Sequence, residues 1–172
     1  MILRKILFYC KRFFYSPEKY ARLLGVKVGS NCDIQTRFFG SEPYLIEIGD
    51  NVQATYAVKF YTHGGAWVLR SQLPNFDFFG KIKVGNNVYI GNFSMIMPGV
   101  TIGNNVIVAA GSVVTKSIPD NSIAGGNPAR IIGDVESFKN KTLPYNVNSA
   151  KMSFAEKKKF LLSLSNEKFI KK

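Results

Sequence analysis

The residue in this sequence that is best suited to acid–base chemistry is its single histidine, His63. The unperturbed pKa of a histidine side chain is about 6.5, so a large share of imidazole rings can accept a proton near neutral pH. A positioned imidazole commonly acts as the general base that removes a proton from a hydroxyl group. A lone histidine is also an ordinary residue of surface loops, and its type alone does not decide between these interpretations.

His63 opens an aromatic-rich segment, residues 61–81, which also contains Trp67 and Arg70. Long segments without periodicity are uncommon inside compact folds and are often functional. A tryptophan ring stacks well on a sugar face, and an arginine pairs with a carboxylate or a phosphate. Trp67 and Arg70 are therefore candidate residues for binding an acceptor, and packing of this loop against an adjacent subunit is an equally open interpretation.

The elements that must position His63 follow a six-residue repeat. Neither the helical period of 3.6 nor the strand period of 2 explains an aliphatic residue at every sixth position. Short strands that turn a corner every six residues do explain it, and three of them close a triangular coil that buries its apolar face against the next coil. The repeat is carried by the β-branched residues Val84, Ile90, Ile96, Ile102, Val108 and Val114. The fourth residue after each is small or aliphatic: Val88, Ser94, Val100, Val106, Ser112 and Ile118.

The same phase appears upstream of His63, but with interruptions. Gly40 breaks the row, and a short excursion follows before the row resumes. Glycine and asparagine, which tolerate positive φ angles, stand at the expected corners Gly85-Asn86-Asn87 and Gly103-Asn104-Asn105, and Gly49-Asp50-Asn51 repeats this pattern upstream. The upstream anchors are Val28, Ile34, Ile48, Ala54 and Phe60.

Charge and cysteine usage limit the classes of function. The formal net charge is +12, and most of the excess lies near the two ends of the chain. A nucleic-acid module would interleave basic and stacking aromatic residues along one element, which is not seen, so we expect no nucleic-acid partner. Cys10 and Cys32 form no CxxC pair, no apolar run reaches about 20 residues, and the apolar part of the N-terminus is too short for a secretory signal. We therefore expect a cytoplasmic protein.

The two ends differ from the repeat. Residues 1–25 have the pattern of an amphipathic helix that either caps the first coil or lies on the anionic inner face of a membrane; capping is the default, since solenoids need covered ends. Residues 26–133 form the predicted β-helix, with 61–81 as an inserted loop. Residues 134–172 form an extension in which Ser153 and Glu156 have the spacing of a capping box at the start of a basic helix.

The repeat, the His-bearing loop, the string from Val114 to Pro119 and the closing Gly126-Asn127-Pro128-Ala129-Arg130 resemble the hexapeptide-repeat acyltransferases. The resemblance spans roughly residues 26–133, and the THGGAWVLR string is most similar to the capsule and lipopolysaccharide O-acetyltransferase branch. It implies an all-β fold, a left-handed parallel β-helix with short helical appendages at both ends. It also implies a homotrimer with active sites between neighbours, and acetyl-CoA as the co-substrate that donates acetyl to a carbohydrate.

The same resemblance assigns roles to individual residues. It makes His63 the catalytic base and Gln35 a residue of the acceptor site. Family members often carry an aspartate where this chain has Gly64, so the group that orients His63 is left open among a main-chain oxygen, Asp77 and Asp33. The residues that the resemblance assigns to CoA binding are Asn92, Ala110, Thr115, Lys116 and Arg130.

Three alternatives accompany this interpretation. A γ-type carbonic anhydrase has the same prism but needs three histidines for zinc, which a chain with one histidine lacks, so we expect no metal site. A non-catalytic β-helix could scaffold a polysaccharide-assembly complex through its basic ends. An N-acetyltransferase acting on an amino sugar would keep the fold and the donor but change the acceptor.

Overall fold

A computed structural model describes residues 14–171, and most of them form a parallel β-helix. Its strands are two to six residues long because the chain turns a corner after each one. They are β1 (Lys27–Val28), β2 (Asp33–Ile34), β3 (Ile46–Ile48), β4 (Val52–Ala54), β5 (Lys59–Phe60), β6 (Ile82–Val84), β7 (Val88–Ile90), β8 (Met95–Ile96), β9 (Thr101–Ile102), β10 (Val106–Val108), β11 (Val113–Val114), β12 (Ser122–Gly126) and β13 (Ala129–Asp134).

The strands form the three sides of a prism. Sheet A has the order β1-β3-β6-β9, sheet C has the order β5-β8-β11, and sheet B has the order β2-β4-β7-β10-β12 with β13 at its end. All pairs are parallel except β12 with β13, which closes the last coil as an antiparallel pair. Each coil therefore passes through sheets A, B and C in turn, as the six-residue period predicts.

The predicted anchors fill the interior of the prism. All six residues from Val84 to Val114 are buried, and so are the six residues four positions after them. The upstream anchors are buried as well. At the interruption, the Phe39 side chain fills the core beside Gly40 and stacks on the Phe60 ring, with 5.7 Å between ring centroids.

One corner of the prism is held by two ladders of polar side chains. In the first, the backbone N–H of one coil donates to the Asn or Asp side chain of the next; an example is Asn86 N to Asn104 Oδ1 at 2.8 Å. In the second, each asparagine side chain donates to its counterpart one coil further along, as Asn51 does to Asn87 at 2.8 Å. The residues of the second ladder all have φ between 53° and 59°: Asn31, Asn51, Asn87, Asn105 and Asn121. Asparagine thus supplies both the positive φ and the inter-coil bond.

Helix α1 (Pro17–Leu24) lies against the first coil. Ser16 caps it, and Pro17 occupies the first helical turn, where a missing N–H costs nothing. Ala21 is buried in the core, and the Arg22 guanidinium donates hydrogen bonds to the carbonyl oxygens of Val28 and Gly29. The earlier part of the predicted N-terminal helix, residues 1–13, lies outside the described residues.

Residues from Glu136 onward form a separate compact unit. It contains most of helix α2 (Val135–Thr142) and all of helix α3 (Phe154–Ser163), and neither helix buries a residue. The capping box is present as the spacing predicts: Ser153 accepts from the Glu156 backbone, and the Glu156 carboxylate accepts from the Ser153 backbone. No helix in the described part of the chain is long and apolar enough to span a membrane.

The stacked anchors yield a stability prediction. Ile96 is fully buried at the centre of the prism, so Ile96→Ala should lower the free energy of unfolding by about 2–5 kcal/mol through the cavity that it leaves. Denaturant unfolding followed by circular dichroism measures this loss. The neighbouring Met95, which faces outward on the same strand, is the control, and Met95→Ala should cost clearly less. Equal losses at the two positions would contradict the assignment of the inner face.

Candidate active site

His63 emerges on the outer surface where the chain leaves sheet C. Along the extended residues that follow β5, Tyr61 and His63 face outward, and Thr62 between them is buried. This alternation follows from the two-residue period of extended backbone. The His63 side chain is 39% exposed, and its ring meets the edge of Phe79, with 5.6 Å between centroids. The imidazole is therefore fixed on one side and open to a substrate on the other.

The partner of His63 is Glu42, which comes from the preceding coil. The distance from His63 Nδ1 to Glu42 Oε2 is 2.8 Å. The same carboxylate oxygen accepts a hydrogen bond of 2.5 Å from the Thr62 hydroxyl. The Glu42 side chain is only 15% exposed, so the pair is well shielded from water on the carboxylate side.

The Glu42 carboxylate determines which ring nitrogen of His63 carries the proton. The Thr62 hydroxyl, with a further contribution from the His63 ring, holds the pKa of Glu42 below its usual value, although burial acts in the opposite direction. An ionised carboxylate only accepts hydrogen bonds, so Nδ1 of the imidazole must be the donor. In the neutral ring, Nε2 then carries the lone pair and is the atom able to take up a proton.

The excursion at residues 41–45 places Glu42 beside His63. It leaves the coil at Gly40, where φ is 65°, and ends in a short 3₁₀ turn at Pro43–Leu45 before β3. A Cβ atom at Gly40 would stand 3.1 Å from both the Phe60 carbonyl oxygen and the Thr62 hydroxyl. Glycine is thus needed here for the positive φ and for the close approach of the two coils.

Neither aspartate considered from the sequence orients His63. The Asp77 side chain lies 3.3 Å from the Arg70 guanidinium, and Asp33 accepts hydrogen bonds from Gln35 and Gln53. Sequence reasoning missed Glu42 because it stands outside the periodic row. The available signal was the excursion itself: it is inserted one coil before the His63 strand, and Glu42 is the only acidic residue in it.

The loop that follows His63 carries two of the three candidate acceptor residues, Trp67 and Arg70. A 3₁₀ turn at Ala66–Leu69 presents Trp67, whose side chain is 81% exposed. The Arg70 guanidinium already has partners inside the loop: it pairs with Asp77 and donates to the Phe76 carbonyl oxygen at 3.2 Å. Gln35 is exposed on β-helix coil 1, where its amide is bonded to Asp33 at 2.7 Å.

Asn92 lies at the corner where sheet B passes into sheet C. Its side-chain oxygen accepts a hydrogen bond from the Tyr56 backbone N–H at 3.1 Å, which repeats the capping pattern of the other corner. In the next coil, Ala110 stands where a side-chain oxygen would accept from the backbone N–H of Asn92, and alanine has none. Within the described residues, the backbone N–H of Asn92 therefore donates to no acceptor, and neither does the backbone N–H of Ala110. Two unpaired amides at one exposed corner fit a peptide-like ligand that offers carbonyl oxygens.

The remaining predicted CoA residues lie further along the prism. Thr115 and Lys116 follow β11 and are exposed at the same corner as His63, two coils away, and Arg130 is exposed on β13. His63 follows the C-terminal end of β5, whereas Asn92 precedes the N-terminal end of β8, so the two residues lie at the two opposite corners of the prism that bound sheet C. One chain thus brings His63 together with Glu42 but does not bring it together with Asn92.

A metal site is not seen in the part of the chain that the structure describes. No group of three or more His, Cys, Asp or Glu side chains in residues 14–171 is placed to hold a metal ion.

Comparisons with known proteins identify relatives of this chain. Residues 81–116 match the family model described as bacterial transferase hexapeptide (six repeats). Protein CapG of Staphylococcus aureus is 51% identical over 154 residues, which cover 87% of this chain and 90% of that protein. The crystal structure of a maltose O-acetyltransferase from Clostridium difficile 630 is 28% identical with a TM-score of 0.55, over 74% of this chain and 88% of that one.

A further solved structure, a galactoside acetyltransferase in complex with coenzyme A, is 33% identical with a TM-score of 0.53, over 67% of this chain and 58% of that one. These similarities confirm the fold class expected from the sequence, and the β-helix is left-handed. This hand is an exception to the right-handed rule for parallel crossovers. With its six-residue repeat and these relatives, the chain belongs to the hexapeptide-repeat acyltransferase family.

Proposed function

We propose that this protein transfers the acetyl group of acetyl-CoA to a sugar hydroxyl, in the synthesis of a surface polysaccharide, with His63 as general base. The observation that carries this proposal is the 2.8 Å contact between Glu42 and His63, which leaves Nε2 free to accept a proton. The donor is supported by the relatives, which include a galactoside acetyltransferase solved with coenzyme A and a maltose O-acetyltransferase.

The proposed reaction is a direct transfer. His63 Nε2 takes the proton of the acceptor hydroxyl as the oxygen attacks the thioester carbonyl carbon. Glu42 stabilises the imidazolium that forms, since a buried carboxylate beside a new positive charge lowers its energy. When the carbon–sulfur bond breaks, the imidazolium returns the proton to the CoA thiolate, and the free thiol leaves.

The backbone N–H groups at the corner of Asn92 and Ala110 suit the binding of the thioester and of the pantetheine arm of CoA. The unpaired Asn92 N–H is a candidate donor to the carbonyl oxygen of the thioester, which becomes an oxyanion in the transition state. The Ala110 N–H is available to the amide-rich pantetheine arm. Gly111 leaves open space beside them, because an added Cβ would meet nothing within 4 Å.

Charged and polar residues complete the proposed binding sites. Thr115 and Lys116 are assigned to CoA, with Arg130 near its nucleotide end, and the exposed cations Lys116 and Arg130 suit its phosphate groups. On the acceptor side, Trp67 offers an exposed ring and Gln35 an exposed amide. The assignment of Arg70 to an acceptor charge is weakened by its pairing with Asp77.

A complete site requires a second copy of the chain. The thioester carbonyl and the acceptor oxygen must come within bonding distance, whereas His63 and Asn92 lie at the two opposite corners that bound sheet C. A ring of identical chains solves this by placing the Asn92 corner of one chain beside the His63 corner of the next. A homotrimer is therefore part of the proposal. A cytoplasmic location and membrane contact through the N-terminus stay predictions from the sequence.

The choice between a hydroxyl and an amine acceptor is tested with a panel of sugars and amino sugars, followed by release of the CoA thiol. Transfer to hydroxyl groups of sugars without a free amine is expected. Transfer confined to amino sugars would move the assignment to an N-acetyltransferase, and failure of acetyl-CoA to bind in calorimetry would favour a non-catalytic scaffold.

Removing the base tests its role. His63→Ala should lower kcat by about 10²–10⁴-fold, the usual contribution of a general base, because no other described side chain can replace Nε2 there. The affinity for CoA, measured by calorimetry, and the oligomeric state, measured by light scattering, should be unchanged. Turnover at the wild-type rate would refute the assignment.

Glu42 is predicted to be a positioning residue. In Glu42→Gln the amide nitrogen can donate to Nδ1 and so favour the tautomer in which Nε2 is protonated. We expect kcat to fall by about 10-fold or more, but by no more than in His63→Ala, with KM for acetyl-CoA unchanged. Glu47→Gln removes an exposed carboxylate from the nearby strand β3 and is the control. Equal activity of the two variants would overturn the role of Glu42.

The unpaired backbone N–H of Asn92 predicts different effects for two variants: one should lose stability and the other should lose activity. Asn92→Ala removes the cap on the Tyr56 N–H and should cost about 0.5–1.5 kcal/mol of stability, but it keeps the Asn92 backbone N–H and most of the activity. Ala110→Asn supplies a capping oxygen and should lower kcat by as much as about 10²–10³-fold. Ala110→Leu controls for bulk and should retain more activity than Ala110→Asn. The reverse order would contradict the proposed oxyanion donor.

A further inference from the structure

Two exposed aromatic side chains, Tyr56 and Phe93, lie at the corner that carries Asn92. Their rings meet edge to face, with 5.7 Å between the centroids and 85° between the ring planes. Tyr56 is 63% exposed and Phe93 is 60% exposed, so the single chain leaves most of both rings uncovered. Adjacent exposed aromatic rings are typical of a surface that contacts a ligand or another chain.

The register of the coils places this aromatic pair beside the reacting group. Sheet B stacks Tyr56, Asn92 and Ala110 at the same corner of three successive coils. In the proposed function, the Asn92 N–H binds the thioester carbonyl, and the pantetheine arm extends from there toward the Ala110 N–H. Tyr56 stands in the coil on the other side of Asn92. The pair therefore flanks the thioester on the side away from the pantetheine arm, where an attacking hydroxyl has room to enter.

The backbone holds Phe93 in an uncommon conformation. Its φ is 62°, and the residues at the same place in the coils before and after it are Ala57, with φ of 58°, and Gly111, with φ of 72°. A bulky residue adopts a positive φ only where the surrounding structure enforces it, and such residues cluster at functional sites. The Phe93 N–H donates to the Tyr56 carbonyl oxygen at 3.1 Å, which fixes the corner. Phe93 is thus the one large side chain of these three residues.

The height of each residue along the prism connects the pair to the base. Tyr56 and His63 belong to the same coil, which passes through β3, β4 and β5, whereas Asn92 belongs to the next coil. In a ring of parallel prisms, rotation about the ring axis leaves each residue at its own height. His63 of one chain then stands level with Tyr56 of its neighbour, one coil spacing of about 4.8 Å from the level of Asn92. An acceptor whose hydroxyl lies between the base and the thioester must lie against the aromatic pair.

We propose that Tyr56 and Phe93 form the platform on which the acceptor sugar stacks, so that the acceptor lies between the aromatic pair of the chain that binds the thioester and His63 of the neighbouring chain. The C–H face of a pyranose packs on an aromatic ring, and the Tyr56 hydroxyl can donate a hydrogen bond to a sugar oxygen. This inference rests on the proposed function and names residues that position its acceptor. The pair makes and breaks no covalent bond.

Steady-state kinetics of the full chain at saturating acetyl-CoA test the platform. The probe is the best hydroxyl acceptor of the sugar panel, which includes maltose and methyl β-galactoside. Phe93→Ala should raise KM for the sugar by about fivefold or more, the usual effect of losing an aromatic contact, and should leave KM for acetyl-CoA unchanged. Phe93→Tyr keeps a ring and should keep the wild-type KM. The control Tyr89→Ala removes an exposed ring from the outer face of β7 in the same coil and should also keep it.

An unchanged KM for the sugar in Phe93→Ala would overturn the inference. Dissociation of the oligomer in light scattering, with that KM retained, would make the pair a contact between subunits. A gain of activity with butyryl-CoA, with that KM retained, would make it a limit on the length of the acyl group. If the wild type transfers acetyl to no sugar of the panel, the proposed function fails and the inference fails with it, which is a different result from transfer with an unchanged KM.

Mixed oligomers test whether the pair and the base act from different chains. Chains carrying His63→Ala are co-expressed with chains carrying both Tyr56→Ala and Phe93→Ala, and oligomers that contain both are isolated through two affinity tags. Only a site shared between chains combines the intact pair of the first with the intact histidine of the second. At a sugar concentration below the wild-type KM, the mixed oligomers should be more active than either parent. Activity no greater than that of the double variant alone would overturn the inference.

Discussion

The register between successive coils is the constraint on which the rest of this structure depends. Each coil fixes the next through parallel strands, stacked aliphatic anchors and the asparagine ladders at one corner, so a residue's place in the six-residue period determines what it faces in the neighbouring coil. The proposed chemistry uses this register twice. Glu42 meets His63 from the coil before it, and Asn92 keeps a free amide because the next coil presents Ala110.

The two departures from regularity have different physical characters. At Asn92 the backbone keeps its path, and only a capping oxygen is missing, so an unpaired donor is created without strain. At Gly40 the backbone itself leaves the coil through a positive φ, and the excursion brings a shielded carboxylate to the base. Thr62 holds that carboxylate in its ionised state, which in turn fixes the imidazole. The orientation of His63 thus depends on contacts made by two adjacent coils.

The periodic part of this fold could be predicted from the sequence, because an aliphatic residue at every sixth position shows which side chains face inward and which residues stack in successive coils. The anchors from Val84 to Val114 are buried as expected. The partner of His63 could not be predicted in this way, because Glu42 lies in a non-periodic insertion whose path depends on tertiary contacts. Charge was equally hard to place, because Arg70 is neutralised by Asp77, a residue seven positions away in a segment without periodicity.

The central claim is that Glu42 holds the proton of the imidazole on Nδ1 and leaves Nε2 as the base. Because His63 is the only histidine in the chain, protein labelled with ¹⁵N-histidine gives ring-nitrogen signals that need no further assignment to a residue. A long-range ¹H–¹⁵N correlation spectrum of the neutral ring distinguishes its two tautomers. We predict a protonated Nδ1 and an unprotonated Nε2 in the wild type. A neutral ring protonated on Nε2 would contradict the account.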